Sequence, residues 1–181
     1  MNYSIKIKEV TPDQIITLND FPVHSPQCLK IYFRIFQTRQ HKIVPPCPVL
    51  NKSTGIPFVE GKGIKIEKYN TALSNFLKQH SKAEYFLLDG THRTTAATLS
   101  HSKIPVMIFE TNKDIKNAKK LVELGRLFSL TTGDSIEKVI KILEAHFFKT
   151  GIFQTVAEKT KRMVKEKAIP KYMIDFYNKK T

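Results

Sequence analysis

Apolar and polar positions alternate at the start of the chain, with Ile5, Ile7 and Val10 set against Lys6 and Lys8. That period of two predicts a strand from Ser4 to Val10. Thr11-Pro12-Asp13 then reads as a turn or helix start. Ser25-Pro26 supplies an N-cap followed by a proline at the first helical position, and predicts a helix running through Gln40. Leu29, Tyr32, Phe33 and Phe36 recur at helical spacing and form its buried face. The apolar run Ile43 to Leu50 carries Pro45, Pro46 and Pro48, which restricts it to a rim or edge strand. Asn51 to Gly63 reads as loop around a short strand at Ile56 to Val59.

The middle of the chain is patterned more strongly. Asn70-Thr71 predicts the cap of a second helix reaching about Ser81, with Leu73, Phe76 and Leu77 inward. Tyr85 to Leu88 is continuously apolar, the mark of a central strand covered on both faces. Thr91 to Ser100 follows as a helix, and Ile104 to Phe109 as another buried strand. From Lys113 the pattern is wholly helical. One helix is expected over Asp114 to Phe128. A second is capped by Asp134-Ser135 and runs to about Phe148. A third runs from near Phe153 to before Pro170, and the aromatic segment Tyr172 to Tyr177 follows it. The reading is an α+β class: a small mixed sheet flanked by helices in residues 1–112, with a C-terminal helical appendage in residues 113–181.

Composition narrows the class without choosing a function. A chain of 181 residues that is 41% hydrophobic and 25% charged has the make-up of a globular protein. It has no apolar run long enough to span a bilayer, and Met1 to Val10 lacks a signal-peptide core, so the expected location is cytoplasmic and no membrane partner is expected. The net charge of +14 favours anionic partners: nucleotide, nucleic acid or phosphorylated metabolite. Sixteen basic and eight acidic residues lie from Lys113 onward, so the tail is dense in charge without being one-sided. Cys28 and Cys47, taken with His24 and His41, match no common zinc spacing and read as two partly buried thiols.

One stretch orders its residues for chemistry. In Tyr85-Phe86-Leu87-Leu88-Asp89-Gly90-Thr91-His92-Arg93-Thr94-Thr95 a strand runs into an acid, a glycine and a polar helix start. The first N–H groups of a helix have no intrahelical partner, and the helix dipole favours negative charge there. Such a start is an anion site. Gly90 permits a sharp turn, Arg93 carries a planar fork suited to phosphate, and Thr91, Thr94 and Thr95 carry hydroxyl donors. His92 has the chemistry to donate to phosphate or shuttle a proton. Asp89 is a candidate Mg²⁺ ligand, proton acceptor or helix cap. The plainer reading of the same residues is a turn with a capping carboxylate.

Leu88-Asp89-Gly90-Thr91-His92-Arg93, followed by Ala96-Ala97 and Lys103-Ile104-Pro105-Val106, resembles the signature of the ParB/sulfiredoxin superfamily. The resemblance covers residues 5–110. It implies a nucleotide phosphate site formed by Gly90, Thr91, His92, Arg93, Thr94 and Thr95. Sulfiredoxins carry a catalytic cysteine where this chain has Thr91, so that chemistry is not expected. The ParB branch implies CTP binding and a helix-turn-helix, of which no clear pattern is found, Val156 to Lys167 being the segment that could be forced into one. The closest branch looks like ADP-dependent free-serine kinases, which share the aspartate-glycine and histidine-arginine pairs. It implies ADP or ATP with Mg²⁺, a small-molecule substrate and phosphotransferase activity, with Asp89, His92 and the loop residue His24 as catalytic candidates. Those kinases carry a glutamate where this chain has Ser25, which leaves Glu9, His24 and Asp89 as candidate bases. Lys159-Thr160-Lys161-Arg162-Met163, followed by Ile169-Pro170, loosely resembles a late segment of the same kinases, which implies a segment folding back onto Asp89–Thr95 to help bind substrate or phosphate; by its residues alone it reads as a solvated basic helix face. The alternative implied by the ParB side is a DNA-binding or nuclease-like protein.

Overall fold

The computed structural model describes residues 5–18, 25–56, 58–127 and 133–179. Six strands form one mixed sheet: β1 (Lys6–Val10), β2 (Ile15–Thr17), β3 (Cys47–Asn51), β4 (Tyr85–Leu87), β5 (Ile104–Phe109) and β6 (Gln154–Thr155), in the order β1-β5-β3-β4-β2-β6. β2 runs parallel to β4, and β3 runs parallel to β5. The other neighbours are antiparallel. Among the described residues, seven α-helices accompany the sheet.

Alternation along the strands explains why helices cover both faces. Ile15, Val49, Tyr85, Leu87, Val106 and Ile108 point to one side. There they pack under α1 (Pro26–Gln37), α3 (Thr91–Leu99), α6 (Val156–Lys165) and α7 (Lys171–Lys179). Ile16, Leu50, Phe86, Met107 and Phe109 point to the other, under α2 (Ile64–Gln79), α4 (Asn112–Glu123) and α5 (Ile136–Thr150). Successive strand residues face opposite ways, so a strand buried on both sides must be apolar throughout, as β4 and β5 are. The expected central strand at Tyr85 and buried strand at Ile104 are therefore present.

Several elements differ from the sequence reading. β3 is not an edge strand: it lies between β5 and β4. Pro48 is tolerated because it sits where the β3–β4 ladder ends. Its carbonyl accepts from Leu88 N–H, and only the terminal bond of the ladder is forfeited. No strand forms at Ile56 to Val59 among the described residues. The side chain of Asn70 instead satisfies both the N–H and the carbonyl of Val59, at 3.0 and 2.9 Å. Asn70 is thus inside α2 as a clamp and does not cap it. The cap position belongs to Gly63, and α2 begins at Ile64.

The last third is not wholly helical. β6 pairs with β2 and adds a strand to the sheet, and α6 packs against α3 and β2. Thr155 closes a reciprocal cap with Glu158 that starts α6 directly from β6. α1 and α5 begin where expected, on side-chain caps from Ser25 and Ser135. α4 begins at Asn112 under a Thr111–Asp114 cap and ends at Glu123, short of the expected Phe128.

Candidate functional site

The motif residues gather where β4 passes into α3. β4 ends at Leu87, and Gly90 takes a left-handed conformation, φ +111°, at the N-cap of α3. An L side chain is strained there, and a Cβ would stand 2.6 Å from Cys47 Sγ. Glycine is required on both counts, because β3 brings the buried Cys47 directly against the turn.

Asp89 and Arg93 lock this turn. Asp89 Oδ1 accepts from Gly90 N–H at 2.7 Å, and Oδ2 accepts from Arg93 Nη2 at 3.0 Å. Arg93 Nη1 also donates to the carbonyls of Pro45 and Pro46, at 2.9 and 3.0 Å. The guanidinium therefore ties α3 to the end of β4 and to the loop entering β3. Its side chain is 12% exposed and that of Asp89 is 27% exposed. Two prolines leave carbonyls with no adjacent N–H to pair, and the fork of Arg93 answers both.

His92 makes the second link. Its Nε2 accepts from the backbone N–H of Ser25 at 3.1 Å. Ser25 is the N-cap of α1, and its hydroxyl accepts from Cys28 N–H at 3.2 Å. The starts of α1 and α3 are thereby held together. α1 follows β2 in the chain and α3 follows β4, and those two strands are parallel neighbours. Both helices thus present the positive ends of their dipoles toward a common region.

The structure treats the remaining candidates differently. Thr94 Oγ1 turns back to the carbonyls of Gly90 and Thr91, at 3.0 and 3.2 Å, and so is engaged within the helix. Thr91 and Thr95 are buried. Glu9 lies on an exposed position of β1, whose neighbour is β5, and is not brought to the motif. His24 lies outside the described residues. Asp89 does not fit Mg²⁺ as arranged: its oxygens already serve Gly90 and Arg93, and among the described residues no group of three or more His, Cys, Asp or Glu is placed to hold a metal.

Two further groups pack on this side of the sheet. Burial, and beside it the Asp89 charge, pushes the Cys47 thiol up to about 11 against the opposing pull of Arg93, so this cysteine is an inert packing group. Its contact with Gly90 joins residues far apart in the chain, and no local signal marks it. The other neighbour is α6, whose inward face carries Val156, Lys159, Thr160 and Met163 at helical spacing. Lys159 is 5% exposed and Thr160 fully buried, and Thr160 Oγ1 has no hydrogen-bond partner. The segment is therefore only half a solvated face: Lys161 and Arg162 are exposed, whereas Lys159 and Thr160 turn in on the side of the sheet that holds α3.

No family model, curated protein or solved structure matches this chain. Among the described residues no helix is long and apolar enough to cross a membrane.

Proposed function

We propose that this chain is a nucleotide-binding protein that seats phosphate groups where the starts of α1 and α3 converge, and that it serves phosphoryl transfer from ADP or ATP to a small hydroxyl-bearing molecule. The observation that carries the reading is the bond from Ser25 N–H to His92 Nε2, which joins the two helix starts. Two converging dipoles attract an anion more strongly than one. Crevices at the carboxyl ends of parallel strands are where open α/β sheets bind such ligands.

Phosphoryl transfer asks for charge neutralisation and positioning more than for covalent chemistry. In this reading the helix starts supply positive potential, and His92 orients. Arg93 is a positioning residue, because its fork already serves Asp89, Pro45 and Pro46. The nucleotide would supply the phosphoryl group itself.

Calorimetric titration of ADP, ATP and CTP into the wild-type chain and His92→Ala tests this. At least one nucleotide should bind, and the substitution should weaken it about tenfold or more, as loss of a hydrogen bond to a charged group does. Absence of binding by the wild-type chain for all three nucleotides overturns the proposal. A gel shift with duplex DNA over a salt series tests the alternative, since genuine phosphate-backbone binding falls steeply with salt.

A further inference from the structure

The turn between α6 and α7 opens into a groove of about 540 Å³ that the nucleotide reading does not use. Val164, Ile169 and Ile174 supply its apolar lining, and Lys165, Lys167 and Lys171 stand exposed along it. Lys171 is held by Asp175 at 2.8 Å. Lys165 and Lys167 have no carboxylate partner among the described residues. The groove is therefore an apolar strip beside an uncompensated positive rim.

Lys167 is placed there against local preference. α6 ends in a left-handed cap: Lys167, at φ +56°, donates its N–H to the Val164 carbonyl, and Ala168 N–H reaches the Met163 carbonyl. This is the position that glycine fills in most such caps. A lysine there gives up stability and sets a charge at the groove's edge.

We propose that this groove docks an acidic, amphipathic peptide segment of a protein partner, with apolar side chains on Val164, Ile169 and Ile174 and carboxylates against Lys165 and Lys167. Charge complementarity and the apolar lining together select this occupant. A nucleic-acid backbone would meet the lysines but would lay polar groups on aliphatic side chains. The nearby aromatic ring, Tyr172, is not offered for base stacking either. It packs edge-on to Phe33 and lies under the Arg34 guanidinium.

Fluorescence anisotropy on the full chain tests the proposal, using a labelled peptide that alternates glutamate and leucine, a glutamate-only peptide of equal charge, and labelled single-stranded and duplex DNA. The mixed peptide should bind more tightly than the glutamate-only peptide and than either DNA. The combined variant Lys165→Gln, Lys167→Gln, Lys171→Gln should weaken it about tenfold or more. Lys167→Gly alone should raise Tm while weakening the peptide, a split that a purely structural lysine would not produce. The proposal is overturned if the mixed peptide binds no better than the glutamate-only peptide, or if the combined variant binds it unchanged. DNA binding that is tighter than the peptide's and lost in the combined variant would overturn it as well.

Discussion

Arg93 and Asp89 stand one helical turn apart and meet at 3.0 Å, and the same guanidinium reaches across to the carbonyls of Pro45 and Pro46. A residue pair that looks from its chemistry like an anion receptor is thus an internal brace. The brace sets where α3 starts, and so sets the position of His92 one residue before Arg93. Its contribution to any ligand site is indirect, through geometry.

Arg93→Ala should therefore behave as a stability mutation. It removes three hydrogen bonds and leaves a half-buried carboxylate without its cation, a change that in such settings destabilises by about 3 kcal/mol. Arg93→Lys should recover only part, since an ammonium cannot span both carbonyls and the carboxylate with a planar fork. Urea denaturation measures both. A midpoint unchanged in Arg93→Ala would mean that the brace is not formed in solution.

The Gly90–Cys47 contact makes a coupled prediction. Gly90→Ala introduces a left-handed alanine and a Cβ 2.6 Å from Cys47 Sγ, and should destabilise by about 2 kcal/mol or more. Trimming the neighbour in Gly90→Ala, Cys47→Ala relieves the clash but not the backbone strain. The double variant should be less destabilised than the sum of the two single ones, with a coupling of about 1 kcal/mol in a double-mutant cycle. Strict additivity would show that the two residues are not in contact.

What the sequence disclosed here follows from how far each signal reaches. α1 was legible because its cap, its proline and its stripe of Leu29, Phe33 and Phe36 lie within one helix. β4 and β5 were legible because burial on both faces demands an unbroken apolar run. β2 and β6, of three and two residues, are too short to show a period and are strands only because each has a partner. The Asp89–Arg93 motif was legible as a strand-to-helix turn, which the structure has between β4 and α3. Its use could not be read, because the groups that engage Arg93 come from Pro45 and Pro46, and the group that engages His92 from Ser25. Only the fold brings them near. Lys159 and Thr160 turned inward for the same reason, since α6 had nothing to bury against until β6 fixed its origin on β2.

His92 should be found as the neutral ring with its proton on Nδ1, because Nε2 accepts from Ser25 N–H. Imidazole ¹⁵N chemical shifts distinguish the tautomers directly. His92→Ala should release the start of α1, at a cost of about 1 kcal/mol for one hydrogen bond. Hydrogen exchange at Ser25 should speed up more than exchange at the far end of α1. A ring protonated on Nε2 near neutral pH would remove the link between the two helix starts.

The Cys47 thiol gives the chain an alkaline limit. Burial raises it from an ordinary 9.0 to about 11, so the folded state holds this proton at pH values where the unfolded chain has released it. Between those two values the unfolded state binds fewer protons, and stability must fall as pH rises. A shift of that size corresponds to a loss of about 2–3 kcal/mol across pH 9 to 11. Tyr69, raised by burial from 10.0 to about 12, adds a fall of the same sign at somewhat higher pH. The Cys47 share is isolated by Cys47→Ala, which should be less stable near pH 7 from lost packing yet show a shallower decline between pH 9 and 11. Thiol reagents give an independent reading, since the exposed Cys28 should react in the folded protein while Cys47 waits for unfolding. Equal slopes for the two proteins, or prompt labelling of both cysteines, would place Cys47 outside the buried contact with Gly90.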